Sequence, residues 1–425
     1  MHFAQRIAQG REENVESATS SAPGTIELKR LLFFLPARQI GGAEKHSAHL
    51  CRAFAAAGVE VTIVAPAAVI ESATLREIPA RRIAAEIAWD DAESAWGNII
   101  RQQAAAVAGL AGLYFDFAIV SLPWPIYGYG LHRLLSAVRL PHLLISHLAP
   151  AGHPSYDLAP ELRVAPEAYA TGLATWVGVS ALVARRVQHL FTLPAFTVGH
   201  IANGVDVRPL SDVQRSWRRS AARRRLDISE TQKLVLVLGR LDKSKGSDLL
   251  PAIAEDIADL QPLLVCAGSG PLQSFLEESE ARGRGLIRLV GQLPVVDDWL
   301  FAADVLFLPS RIEGSPLVFL EAAAARCPVV ASDIALEAHG DAAAQLALIA
   351  PGGDVAKLGY ALRIALSSPG LLKSKIENAF DFASKNTRQD MTDSYMRTCR
   401  LAMARYACAQ RRHGDVAPSN GDRRG

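Results

Sequence analysis

Short apolar runs punctuate this chain at intervals too long for hairpins. Lys29 to Phe34, Val61 to Val64, Phe117 to Ser121, Leu143 to Ser146 and Trp176 to Ser180 are such runs in the first half. Leu234 to Leu238, Leu263 to Ala267, Ile287 to Val290 and Val305 to Leu308 are their counterparts in the second. Continuous apolar runs of this length read as strands buried on both faces, the habit of parallel sheets. The longer stretches between them carry helical patterns, as at Ala43 to Ala57, Trp89 to Tyr114 and about Arg388 to Ala409. Alternation of strand and helix predicts an α/β chain. Asn203-Gly204 is a turn signal and Pro209 ends regular structure, which puts a boundary near Arg208. The expected layout is therefore two domains, 28–207 and 208–387, a last helix over 388–410, and polar, disordered ends at 1–27 and 411–425. No repeat shows beyond the shared βα logic of the two halves.

The most informative stretch is VLFLPSRIEGSPLVFLEAAAARCPVVAS, from Val305 to Ser332. It reads as strand, loop, helix, strand. Ser315 suits an N-cap, Pro316 the first helical position, and Pro328 stops the helix just past Arg326. Glu313 then lies in the loop before a helix N-terminus, with Glu321 about one turn inside the helix. The free N–H groups and the dipole at such a terminus favour an anion such as a phosphate. Two carboxylates beside it can accept hydrogen bonds from sugar hydroxyls. A nucleotide sugar has both kinds of group.

Composition narrows the choice. The chain has 425 residues, 50% hydrophobic, and a formal net charge of +2, so bulk electrostatics give no case for nucleic acid. Its five cysteines, Cys51, Cys266, Cys327, Cys399 and Cys408, contain no C-x-x-C, and most sit in apolar surroundings, as reduced buried thiols do. The polar first residues lack a signal-peptide core, and the longest apolar candidate, Ala104 to Phe115, is too short to span a bilayer. A soluble, cytoplasmic protein is expected. One local exception to the balanced charge is Arg215 to Arg225, with six arginines in eleven residues. It reads as a solvated helix, with peripheral contact to anionic membrane or nucleic-acid binding as the other readings.

Several loops carry the remaining chemistry. Gly41-Gly42 precedes the first helix, where glycines let backbone approach a ligand closely. His147 ends a strand at the carboxyl edge of the expected sheet, where open α/β folds bind ligands, and His153 is a substitute for it. Gly239-Arg240-Leu241-Asp242-Lys243-Ser244-Lys245-Gly246 follows a strand and offers two cations, Arg240 and Lys245. Gly268-Ser269-Gly270 also follows a strand, but Gln273 replaces the third glycine of a dinucleotide fingerprint. The next strand ends in Gly291-Gln292-Leu293 with no acid for a ribose, so a nicotinamide cofactor is excluded.

Taken together, E-G-S-P-L-V-F-L-E, G-G-A-E, N-G-V-D and the Gly-Arg-Leu…Lys-Gly segment resemble the signatures of the retaining family 4 glycosyltransferases (group 1). The resemblance spans about residues 29 to 405 and is strongest in the second half. It implies the glycosyltransferase B fold: two Rossmann-like doubly wound domains facing each other across a cleft, with the last helix crossing back to the first domain. It implies that Glu313 faces the donor sugar and Glu321 holds the ribose. Arg240 and Lys245 grip the diphosphate, and Gly41 and Gly42 face it. Gly268, Gly270 and Gln292 line the nucleotide pocket, with Gly314, Ser315, Pro316 and Leu317 forming the phosphate cradle. His147 contacts the donor sugar or positions the acceptor. Two departures stand out: Leu148 where the family has an aspartate after the histidine, and Asp333 to Glu337 in place of a glycine-rich loop with a Pro-Glu pair.

The expected reaction is transfer of a sugar, with retention, from a nucleotide-diphosphate sugar to an acceptor hydroxyl, on a sugar or lipid-linked acceptor of cell-surface polysaccharide or glycolipid synthesis. Fixed cations stabilise the charge that develops on the departing diphosphate. No Asp-x-Asp and no cluster with metal-ligand spacing occurs, so neither a metal nor another cofactor is expected. A nucleotide-sugar 2-epimerase of the same fold and a non-catalytic nucleotide-binding scaffold are the alternatives, followed by a basic interaction protein recruited through Arg215 to Arg225.

Overall fold

The computed structural model describes residues 27–149, 151, 164, 166–194, 197–293 and 295–414. The leader, the tail beyond 414 and His153 lie outside them. The chain divides into two compact units, one built from residues up to Ile201 and from Thr392 onward, the other from Ala202–Met391.

The first unit holds a seven-stranded sheet in the order β3-β2-β1-β4-β5-β6-β7. Its strands are β1 (Arg30–Phe34), β2 (Glu60–Ala65), β3 (Arg81–Ala84), β4 (Phe117–Leu122), β5 (His142–Ser146), β6 (Ala174–Gly178) and β7 (Val198–His200). All pairings are parallel, and β1 sits between β2 and β4 with Phe33 opposite Ile63 and Ile119. Leu31 to Phe34 and Phe117 to Val120 are fully or nearly fully buried, because helices cover both faces.

The second unit repeats the plan with six parallel strands in the order β10-β9-β8-β11-β12-β13. These are β8 (Leu234–Leu238), β9 (Leu263–Ala267), β10 (Ile287–Gly291), β11 (Val305–Leu308), β12 (Val329–Ser332) and β13 (Leu348–Ala350). In both sheets the winding direction reverses beside the first strand, between β1 and β4 and between β8 and β11. That reversal opens a crevice at the carboxyl ends, where doubly wound sheets bind ligands. The α/β, doubly wound expectation holds for both units.

Near the first passage from unit to unit, Val205 bridges Thr387, and a Cβ on Gly204 would fall 2.2 Å from the Thr387 carbonyl oxygen. Arg388 pairs with Asp206 at 2.7 Å. Among the described residues, no helix is long and apolar enough to cross a membrane.

Two local expectations are corrected. The helix expected over Trp89 to Tyr114 spans only Ala95–Gly109. Ser94 caps it by accepting from the Gly97 N–H, and Asn98 folds back to bond both the N–H and the carbonyl of Asp90, which holds the preceding residues extended. The basic stretch forms a helix, Asp212–Arg225, exposed over much of its length as a solvated helix would be, but two of its arginines turn inward. Arg219 donates to the carbonyls of Ala302 and Ala303 and to Asp304, at 3.0, 2.8 and 2.5 Å. Arg223 is fully buried and donates to the carbonyls of Ala302, Ser229 and Gln232 and to Asp304 Oδ2. Both cap the C-terminal carbonyls of the Asp297–Ala302 helix, where cations are favourable. Arg225 pairs with Asp298, Arg215 with Asp212, and Arg218 lies over the Phe301 ring. Arg219 and Arg223 thus clamp this helix to the Asp297–Ala302 helix.

Candidate functional site

The reversal point of the second unit gathers the predicted cations and the first acid. The loop after β8 begins at Gly239 and runs through Arg240 and Lys245 to Gly246; the loop after β11 runs from Pro309 to Pro316. They are joined at several levels. The Arg311 N–H donates to the Ser244 carbonyl at 2.7 Å, and the Arg311 guanidinium binds Asp248 through both ends, at 2.6 and 2.9 Å. Gly246 is left-handed (φ +72°), and a Cβ there would lie 2.2 Å from the Pro309 carbonyl oxygen. Only glycine permits that approach.

This frame sets Lys245 Nζ 2.5 Å from Glu313 Oε1, which also accepts from Ser310 Oγ at 3.0 Å. The pair is mostly shielded, Glu313 being 10% and Lys245 26% exposed. Ser310 is fixed in turn, its carbonyl accepting from Ser332 Oγ at 2.5 Å. Arg240 is more open, with its guanidinium 3.3 Å from Asp242 Oδ2. Asp242 Oδ1 accepts from Ser244 Oγ and from the Lys245 N–H. Both cations, Arg240 and Lys245, line one crevice together with Gly239, Pro309 and Ser310.

The helix after this loop starts one residue later than expected, at Leu317–Ala324, with Pro316 in the capping position (φ −68°, ψ 120°) and no side-chain cap. Ser315 does not cap it. Its carbonyl instead accepts from Asn203 Nδ2 at 2.8 Å, a partner 112 residues away. Leu317 and Val318 open the helix, so their N–H groups have no intrahelical acceptors. Gly314 is buried beside Glu313, and Glu321, half-buried, is the fifth residue of the helix.

Gly268 and Gly270 join this site by backbone packing. A Cβ on Gly268 would fall 1.8 Å from the Gly239 carbonyl oxygen, and one on Gly270 2.5 Å from that of Leu241. The two loops are stitched main chain to main chain: Gly239 N–H to Ala267 O at 3.0 Å, Leu241 N–H to Ser269 O at 3.0 Å, Leu272 N–H to Leu241 O at 2.8 Å. The third loop is held by Gly268 N–H to Gly291 O at 2.7 Å, and exposed Gln292 donates to Ser269 Oγ at 2.9 Å.

The first unit places its candidates around its own reversal point. Gly41 caps the Gly42–Ala56 helix, but its N–H donates to Glu44 Oε2 at 2.8 Å. A carboxylate thus occupies one of the amides expected to meet a diphosphate. A Cβ on Gly42 would touch nothing within 4 Å. His147, just past β5, has Nε2 3.0 Å from Ser121 Oγ on β4. Burial holds its pKa down at about 3, so the ring is neutral. Its ring meets that of His46 edge-on at 4.8 Å, and His46 meets Tyr395 likewise at 5.3 Å. Ser47, His46 and Ser121 went unnoticed in the sequence, since only folding brings β4, β5 and the first helix together.

Known proteins share this fold and parts of this sequence. Residues 40–208 match the model described as Glycosyltransferase Family 4, and residues 232–368 the model described as Glycosyl transferases group 1. The D-inositol 3-phosphate glycosyltransferase of Kribbella flavida is 30% identical over 205 residues, 44% of this chain and 48% of that protein. A Bacillus subtilis (strain 168) protein assigned to teichuronic acid biosynthesis as glycosyltransferase TuaC is 40% identical over 114 residues, 26% of this chain and 28% of that one. These matches span about half the length of the relatives or less. Among solved structures, WaaG, a glycosyltransferase involved in lipopolysaccharide biosynthesis, superposes with a TM-score of 0.65 at 17% identity, over 86% of this chain and 98% of that one. Anabaena HepE, solved with UDP-glucose, gives 0.65 at 16% identity over 87% and 98%. The two family models lie on the two sheet units, and the shared architecture is that of glycosyltransferase B structures: the chain belongs to the family 4, group 1 glycosyltransferases.

Proposed function

We propose that the protein is a retaining glycosyltransferase using a nucleotide-diphosphate sugar, and that the second unit carries the donor half-site. The observation that carries this reading is the Lys245–Glu313 pair at the sheet reversal, with Arg240 beside it and a helix N-terminus beyond. Donor binding would draw the Lys245 ammonium toward the diphosphate and free Glu313 for sugar hydroxyls. The bond from the anomeric carbon to the phosphate oxygen then breaks, and its electron pair leaves with the nucleotide diphosphate. Arg240, Lys245 and the first N–H groups of the Leu317–Ala324 helix stabilise that growing charge. The acceptor hydroxyl attacks the same face, and its proton passes to the departing phosphate oxygen. Glu321 holds the ribose, and His147 serves the acceptor side. Fixed cations take the electrostatic place of a divalent metal, so activity should survive EDTA.

HepE, solved with UDP-glucose, and TarM, solved with UDP and a glycosylated glycerol, support a UDP-sugar as the first donor to try. TuaC and WaaG support a cell-surface polysaccharide or glycolipid acceptor, met on the cytoplasmic side. The test is a thermal-shift and calorimetry panel of UDP-, GDP- and ADP-sugars on the wild type and Glu321→Ala. One donor should raise the melting temperature, by an amount equivalent to about 2.7 kcal/mol at a hundredfold excess over Kd, and should bind more weakly to the variant. Absence of binding by every donor would defeat the reading. Conversion of the donor with no acceptor present would favour an epimerase.

A further inference from the structure

Glu313 Oε1 is held twice, and its two partners are unlike. Lys245 Nζ lies 2.5 Å from it and Ser310 Oγ 3.0 Å. An ionised carboxylate only accepts, so both partners donate to the one oxygen. Lys245 brings a full charge on a flexible four-carbon stem and is partly exposed. Ser310 brings a neutral hydroxyl one bond from its Cβ and is buried, with 2% exposure. Both line the crevice that Arg240 shares.

Ser310 is also fixed through its main chain. It stands two residues past β11, and its carbonyl accepts from Ser332 Oγ, at the end of β12. Ser332 is fully buried, and its Oγ accepts in turn from the Ala335 N–H at 3.0 Å. A carbonyl cannot donate and an amide N–H cannot accept, so both roles of the Ser332 hydroxyl are assigned. Two paired strand ends and the turn after β12 therefore set where the Ser310 hydroxyl stands.

The two partners respond differently to a polyanion. A diphosphate carries more charge than a carboxylate and draws the ammonium, whereas a neutral hydroxyl anchored to two strands stays. We infer that Ser310 is a positioning residue, which keeps the Glu313 carboxylate in place when Lys245 turns to the diphosphate. This deepens the proposed function, and rests on it in sending Lys245 to the diphosphate and Glu313 to the sugar. Without the hydroxyl, Lys245 is the one remaining partner of Oε1 among the described residues, and the carboxylate follows the ammonium. The diphosphate then still meets its cations, but the sugar loses its acceptor.

The test compares each donor with its own nucleoside diphosphate, because the sugar is what separates them. Calorimetric titrations use the full-length protein with UDP and UDP-glucose, GDP and GDP-mannose, and ADP and ADP-glucose. For the pair that binds, Ser310→Ala should cut the ratio of donor to diphosphate affinity at least tenfold, about the worth of a hydrogen bond to a charged group. Ser310→Thr keeps the hydroxyl and should restore most of that ratio. Ser332→Ala removes only the main-chain support of Ser310 and should give a smaller fall of the same kind, with melting curves to show that each variant folds. Equal losses on donor and diphosphate in Ser310→Ala would mark a merely structural residue and overturn the inference, as would an unchanged ratio. A wild-type protein that binds none of the pairs defeats the donor reading itself, and the inference with it.

Discussion

Gly246→Ala tests whether the proposed donor site depends on the close crossing of two loops. Gly246 is left-handed at φ +72°, ψ +20°, a conformation that costs an alanine about 1–2 kcal/mol. The new methyl would stand 2.2 Å from the Pro309 carbonyl oxygen, 2.9 Å from its carbon and 3.1 Å from its Cβ. Relief requires the loops to part by about 1 Å, and overpacking of this kind adds about 1–3 kcal/mol. The loss should therefore be about 2–5 kcal/mol in the second unit. The parting acts directly on chemistry, because Lys245 precedes the glycine and Ser310 follows the proline, and both hold Glu313. Denaturant unfolding gives the first number and calorimetric titration with UDP the second, where at least tenfold weaker binding is expected. Gly353→Ala is the control, since it is also left-handed (φ +82°) but has nothing within 4 Å of the added methyl. Equal losses in the two variants would show that the crossing carries no strain, and the argument would fail.

Arg223→Met should destabilise the second unit by about 3–5 kcal/mol, because it leaves buried carbonyls and Asp304 short of their donor; Arg223→Lys should recover little of it. A loss under about 1 kcal/mol, read by denaturant unfolding, would contradict the clamp. Acid should weaken the first unit. Burial holds His46 and His132 well below the ordinary histidine pKa, His142 at about 4 and His147 at about 3. The folded rings stay neutral while the unfolded chain takes up protons below about pH 6.5. The stability they contribute is thus present above that pH and falls by about 1.4 kcal/mol per pH unit for each histidine on the way down. Denaturation midpoints that stay constant between pH 7 and 5 would refute this.

Most strands were legible because buried parallel strands announce themselves as apolar runs, and β8, β9 and β11 fall where those runs do, whereas the short, partly exposed β3, β7 and β13 gave no such signal. The loops that carry Arg240, Lys245 and Glu313 were legible for a related reason, since each follows such a run. What escaped was decided by contacts remote in sequence. Ser315 has the composition of a cap, yet its loop is set by Asn203, and Gly41 has an amide suited to phosphate that Glu44 takes locally. Arg219 and Arg223 read as part of a surface until Asp304 and the carbonyls of 302 and 303 were brought beneath them. His147 could be named, but not Ser121 and Ser47 beside it, because they arrive from another strand and another helix.

The stitching of the donor loops has a consequence for how such an enzyme can change. Gly239, Leu241, Gly268 and Leu272 bind one another's loops through amides and carbonyls, groups that every non-proline residue carries. The shape of the pocket floor is therefore indifferent to the side chains at Ser269 and Gln292, which stand on it. Mutation can rewrite those two positions without rebuilding the floor of the proposed donor site. The glycines beneath them have no such freedom, because an added methyl at Gly268 or Gly270 would strike the backbone of the neighbouring loop.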